Sequence, residues 1–468
     1  MHRSFCVRNV LQMKEMGILF SYKNNMSDSK KYFKLRPLPL YITFTIMYNR
    51  IMTEIVTLAS GLRVAYSNIP YVHSVSLGVF VKIGSKNEVT SDNGIAHFTE
   101  HVMFKGTASR NAFQIVEEMD ALGANMNAFT SKEVTAYYFQ CMDDTVDACA
   151  EILSDILLHS VFPAEELEKE RGVILEEISM VNDTLDDLSQ ELCAESFWKD
   201  CSFGRTILGL PENVKRFTSD DIRAFMADHY VAENIVVSIC GNISKDRAIS
   251  LCEKYFTFPG RKHSPRPITL PATLGGNICS AIKNTEQANL TLAFPAFSRL
   301  DERIPALGVL SCALGGGMSS KLFQEIRETL GLVYSIYTYA ASYEEAGSLC
   351  LYFATNPKNI NKALDSVRNC IRSVIKTGFS DYEFRRAKQQ VKGSLVMGQE
   401  NSLAIMRAMG RQAIFRNEPF SIEQRLDEIE ALTVDDVNAL LPIIFDTKEI
   451  GVGYVGKKPT CDLSKIFK

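Results

Sequence analysis

The sequence predicts an α+β protein built from two homologous α/β sandwich domains, each a mostly antiparallel sheet with helices packed on it. Three observations carry this reading. Motifs recur in the second half of the chain at a nearly constant offset, short apolar strands alternate with long amphipathic helices, and a Pro/Gly-rich stretch separates the copies.

The repeat is legible from Thr53 onward. RFTSDDI at 216–222 is matched by ALTVDDV at 431–437, and Thr218 and Thr433 lie 215 residues apart. The same interval separates Gly241 from Gly456, each closing an apolar strand, 234–241 and 449–456. Leu122-Gly123 echoes Leu330-Gly331, and Tyr138-Phe139 echoes Tyr352-Phe353. Residues 161–167 echo 378–384, both reading as helix starts with capping or acidic residues. Ser74–Val81 and Ala288–Phe294 read as strands. Pro259, Pro265, Pro267 and Pro271 with Gly260, Gly275 and Gly276 mark a linker over 259–276, which could act as a hinge. The expected organisation is an N-terminal extension (1–51), a metal-binding domain (53–258), the linker (259–276) and a second domain (277–468).

Composition is that of an ordinary globular chain, 46% hydrophobic and 23% charged, with a net charge of −4 that gives no reason to invoke nucleic acid. Residues 1–50 hold nine Lys/Arg against Glu15 and Asp28, so the remainder has 42 basic and 53 acidic residues, a net of −11. An acidic body would favour basic peptides or serve solubility alone. Twelve cysteines occur without C-x-x-C pairs, which reads as reduced thiols, with Cys240 and Cys350 as small core residues. No segment approaches the ~20 apolar residues of a membrane span. Three readings fit residues 1–51: a start codon chosen upstream of Met52, an organelle presequence, or a secretory signal.

Only seven histidines occur, and two stand in HFTEH at 97–101. On a helix, positions i and i+4 share a face, so His97 and His101 can reach one divalent ion with Glu100 beside a bound water. H-x-x-E-H is a zinc-peptidase pattern. No histidine follows His263, so the second copy cannot rebuild the site. A catalytic zinc takes three protein ligands and keeps one position open. The Glu-rich helix expected over 164–180 has an apolar stripe of Leu167, Ile174, Leu175 and Ile178. Glu170 and Glu177 fall at its edge, whereas Glu176 points to solvent with Glu165. Glu177 is therefore the better third ligand, with Glu170 a neighbour that orients the site.

With these residues in place, HFTEHVMFKGT (97–107) followed by ERGVILEE (170–177) resembles the pitrilysin/insulinase metallopeptidases. The nearest branch is the short-chain one that includes mitochondrial processing peptidase β-subunits and bacterial processing-peptidase-like proteins. The resemblance runs over residues 53–468. It implies a zinc-dependent endopeptidase acting on extended or presequence-like peptides, with one Zn²⁺ held by His97, His101 and Glu177. Glu100 would be general acid–base and Glu170 a support of the ligands. GANMNAFTSKEVTAYY (123–138) resembles the edge strand on which family members bind peptide, which assigns substrate binding to Asn127, Ala128 and Phe129. Within LGGGMSSKLFQEIRETLGLVY (314–334), Arg327 and Tyr334 match a pair that reaches the substrate and stabilises the oxyanion. Gly315–Gly317 lack the Gly-Lys-[Ser/Thr] of a phosphate loop.

A complete chamber in that family uses four such domains. The resemblance thus implies a homodimer in a bacterial cytoplasm, or a heterodimer with an inactive homologous subunit in a mitochondrial matrix. Related respiratory-complex core subunits keep the fold without the chemistry, so a non-catalytic scaffold or peptide-binding subunit is the rival reading.

Overall fold

The computed structural model describes residues 52–459 together with 462, 463 and 466. The extension 1–51 and its alternative readings lie outside the described residues.

Two sheets organise the chain, and each follows from runs of β-branched and aromatic residues bounded by turn formers. The first comprises β1 (Thr53–Thr57), β2 (Arg63–Asn68), β3 (Ser74–Val81), β4 (Asn125–Thr130), β5 (Thr135–Met142) and β6 (Ile235–Gly241). Its spatial order is β1-β2-β6-β3-β5-β4. The second comprises β7 (Ile278–Ile282), β8 (Ala288–Ala296), β9 (Val333–Ser342), β10 (Gly347–Thr355) and β11 (Gly451–Gly456), in the order β7-β11-β8-β10-β9. Only β2 with β6 and β7 with β11 pair in parallel. From β2 onward the two orders superimpose strand for strand, so the internal repeat is a repeat of topology.

The sequence echoes occupy equivalent places. Thr218 and Thr433 each close a capping box, with Asp221 and Asp436, at a helix start. Gly123 (φ 66°) and Gly331 (φ 60°) both take the left-handed conformation that turns the chain into the edge strands β4 and β9. Ser74–Val81 forms as expected. The strand read at 288–294 extends to Ala296, and the helix read at 164–180 extends to Asp183.

Four helices place the site and tie the halves together: α1 (Ile95–Met103), α2 (Ala164–Asp183), α3 (Leu185–Trp198) and α4 (Ser402–Arg416). Helices α1 and α2 pack on one face of the first sheet, around Phe98, Val102, Leu167 and Ile174. The opposite face is covered by α4, from the far half of the chain, through Ile405, Met406, Met409 and Ala413. Reciprocally α3, from the first half, covers the second sheet. Its Ser196 Oγ accepts the Val452 N–H at 2.7 Å and donates to the Asn277 carbonyl at 2.9 Å. On the other side Ser238 donates to the Met406 carbonyl at 2.7 Å. Each half therefore lends one helix to the other, and the described residues form a single unit. Residues 259–276 carry no helix or strand.

Ten cysteines among the described residues are free thiols. Cys240 and Cys350 are buried in β6 and β10, as small core residues. Among the described residues no helix is long and apolar enough to cross a membrane.

Candidate metal centre and peptide edge

Helix α1 is short and carries no side-chain cap of its own. The buried Glu88 caps it from outside, accepting the N–H groups of Gly94 (2.8 Å) and Ala96 (2.9 Å), where a carboxylate meets the positive end of the helix. Gly94 (φ 102°) lies back to back with Gly209; a Cβ on Gly94 would sit 2.7 Å from the Gly209 Cα. This close approach fixes where the helix begins, and with it where His97 and His101 point.

The two imidazoles project from one face, with ring centroids 4.6 Å apart. From α2, Glu177 Oε2 comes to 3.4 Å from His101 Nε2 and 3.7 Å from His97 Nε2. One donor atom from each of the three residues lies within 4.8 Å of the others, and none of these pairs is a hydrogen bond. Three donor atoms thus converge on one point, an arrangement that suits a divalent cation, and two imidazoles with one carboxylate match the donor preferences of zinc. Burial and the neighbouring His101 pull the His97 imidazole down to about 3, so it is neutral and free to donate a lone pair.

The helix phase of α2 is as expected: Glu176 is exposed, Glu177 half-buried and Glu170 buried. Glu170 Oε2 accepts from His101 Nδ1 at 3.1 Å while its other oxygen pairs with Lys105 at 2.7 Å. This fixes the His101 tautomer with Nε2 facing Glu177. Glu100 accepts a short hydrogen bond from the Thr130 hydroxyl; burial, with Glu177 nearby, raises its carboxyl above the usual range.

Thr130 ends β4, which pairs only with β5 and leaves its outer edge without a strand among the described residues. Residues 123–138 thus form an edge strand, a turn and the first half of β5. Ala128 and Met126 face the α1 side, whereas Phe129 packs on the α4 side. The Ala128 N–H is covered by the Asn127 side-chain oxygen at 2.7 Å, a local bond that an incoming strand can replace.

Arg327 and Tyr334, expected to reach the substrate, both lie in the second half of the chain. Arg327 lies in a π-helical turn (Phe323–Thr329) and Tyr334, 73% exposed, near the start of edge strand β9. Arg327 stacks over Phe323 (4.6 Å) and Tyr334 (5.7 Å). No hydrogen bond, ion pair or ring contact among the described residues joins the pair to His97, Glu100, His101 or Glu177. Arg327 precedes, and Tyr334 stands near the start of, the outermost strand of the other sheet.

Sequence reasoning also passed over three partners. Lys105 stands four residues after His101, so helical spacing could have found it. Thr130 lay within the edge segment but carried no signal of its contact with Glu100. Glu88 caps a helix six residues downstream through a turn that no local pattern announces.

Comparison with known proteins decides the family. Residues 63–210 match the Insulinase (Peptidase family M16) domain and residues 216–391 match the Peptidase M16 inactive domain. The chain belongs to peptidase family M16. It is 36% identical over 389 residues to the uncharacterized zinc protease YmxG of Bacillus subtilis, covering 83% of this chain and 95% of that protein. An uncharacterized zinc protease of Streptomyces coelicolor is 36% identical over 391 residues, covering 82% and 85%. The M16 chain is also similar in fold to a peptidase M16 inactive domain from Pseudomonas fluorescens (TM-score 0.81, 19% identity, 87% of this chain and 99% of that one). A protease from Helicobacter pylori gives TM-score 0.79 at 20% identity, covering 87% and 100%.

Proposed function

We propose that this M16 chain is a zinc-dependent endopeptidase that hydrolyses extended peptides laid along β4. The observation that carries the reading is the convergence of His97, His101 and Glu177 next to a carboxylate, Glu100, that is tied through Thr130 to a free strand edge. The zinc-protease names of its relatives support it.

His97, His101 and Glu177 would hold the ion, which when bound polarises a water and lowers its pKa. Glu100 would accept a proton from a water attacking the scissile carbonyl and pass it to the leaving amine. The Thr130 hydroxyl holds Glu100 in register with the edge strand, so the base and the bound backbone share one frame. Glu170 keeps His101 in the ligating tautomer. Main-chain pairing with Asn127, Ala128 and Phe129 supplies affinity largely independent of sequence.

Arg327 and Tyr334 would stabilise the developing oxyanion. Since no contact among the described residues joins them to the cluster, they would arrive from a second copy, which favours a homodimer over a single-chain site. The test is cleavage of a fluorogenic peptide beside zinc content. Glu100→Gln should keep zinc and lose roughly 10²–10⁴-fold in kcat. Full activity in that variant with no zinc in the wild type would eliminate the reading. Zinc-independent peptide binding without turnover would instead identify a peptide-binding scaffold.

A further inference from the structure

On the side of the first sheet away from the metal cluster, α4 carries a concentration of cations that the proposed chemistry does not use. A cavity of about 520 Å³ opens beside it, lined by Arg299, Arg407, Arg411, Arg416 and Arg425 with no carboxylate in its wall. Two carboxylates reach these cations from outside: Glu133 pairs with Arg299 at 2.6 Å and Glu428 with Arg425 at 2.9 Å. Glu133 also lies near Arg411, and Arg407, Arg411 and Arg416 form no ion pair among the described residues. Arg299 Nη1 and Arg407 Nε are buried with no hydrogen-bond partner, and Arg411 forms no ion pair or hydrogen bond among the described residues. Such groups are costly to leave unmade unless an anion satisfies them.

The cavity is connected to the peptide edge. Arg407 donates to the Tyr138 hydroxyl and stacks over its ring at 4.4 Å. Tyr138 stands opposite Asn127 in the β4–β5 register and packs beside Phe129, whose ring is 6.3 Å away. A strand added to β4 would lie about 4.8 Å further out and send alternate side chains to this same face. Arg411 is one helical turn beyond Arg407 on α4.

We propose that the arginine cavity binds the carboxylate of an acidic side chain on a peptide held along β4, making Arg407 and Arg411 specificity determinants. The site sets selectivity at a residue that projects away from the metal cluster, and it opposes the preference for basic peptides that the acidic body alone would give. The inference rests on the peptidase reading.

The test uses the zinc-loaded full chain and peptide pairs that differ only by Glu or Gln, walked along the positions flanking the cleaved bond. The wild type should favour Glu at one alternate position by about tenfold or more, mainly in KM, as a charge-assisted hydrogen bond would. In Arg411→Gln that ratio should fall toward one. Inorganic phosphate should raise KM for the Glu peptide and not for its Gln twin. No Glu preference at any position, or one that survives Arg411→Gln, overturns the proposal. Phosphate acting equally on both peptides would assign the cavity to free anions and overturn it too. If nothing is cleaved, the peptidase reading fails separately, and fluorescence anisotropy with the same peptide pairs still decides the cavity.

Discussion

Glu170→Gln tests the proposed role of Glu170 as a group that orients a ligand without being one. Its carboxylate accepts from His101 Nδ1 at 3.1 Å and pairs with Lys105 at 2.7 Å, and it is buried. Glutamine offers one oxygen and one amide. If the oxygen faces His101, the amide N–H groups confront the Lys105 ammonium; if it faces Lys105, two donors meet at Nδ1. Either arrangement frees His101 to turn or to adopt the other tautomer. Loss of such an orienting partner costs about 10–100-fold in metal affinity, or ~1.4–2.7 kcal/mol. The assay is zinc competition against a chelating dye, run beside Glu177→Gln and Glu176→Gln. Glu177→Gln should weaken zinc further than Glu170→Gln, and Glu176→Gln should match the wild type. Equal affinity in Glu170→Gln and wild type would refute the assigned tautomer, and a loss in Glu176→Gln would refute the helix phase.

Thr130→Val should lower kcat by about 10–100-fold with zinc content retained, because it removes a hydrogen bond to a charged group; steady-state kinetics with metal analysis reads both. Met406→Ala, fully buried between α4 and the first sheet, should destabilise the chain by roughly 2–5 kcal/mol, measured by urea unfolding. His229 packs with His263 at 3.0 Å, and burial together with that neighbour lowers it to about 4 from an unfolded value of 6.5. The native state then binds fewer protons than the unfolded one between those values, so the stability His229 allows is full above pH 6.5 and is lost as pH falls toward 4. His229→Gln should flatten that acid slope by on the order of 2 kcal/mol in unfolding experiments run across the window.

The fold was legible because repetition is a sequence property. Thr218 with Thr433 and Gly241 with Gly456 are local signals, a capping box and a strand-ending glycine, and each copy realises them independently. The cluster was legible for a similar reason: i, i+4 spacing and helix phase are arithmetic on one element, so His97, His101, Glu170 and Glu177 could be placed before their partners were known. What could not be read was every relation between elements distant in the chain. Ile405, Met406 and Met409 look like the stripe of any amphipathic helix, and nothing local says they cover the sheet of the other half. Arg407 and Arg411 read as surface charges until the strand beneath them is known.

The exchange of α3 and α4 bears on how peptide could enter. A hinge at 259–276 would open the chain by rotating one half from the other, yet such a rotation would strip α4 from β3 and β6 and α3 from β8 and β11. Burying Met406, Met409 and Ile405 alone is worth several kcal/mol at roughly 1.5–3 kcal/mol per side chain, so this motion opposes folding itself. The linker therefore joins two sheets that are already locked, and access must be controlled elsewhere. In the proposed homodimer, the free edge of β4 and the exposed Tyr334 near the start of β9 would face the surface between the copies. Separating those copies would open the peptide edge without breaking either core. Subunit dissociation should then accompany substrate entry: a crosslink between two copies that leaves each chain folded should slow turnover of a folded polypeptide more than that of a short peptide. Equal slowing of both substrates would return the gate to the interior of the chain.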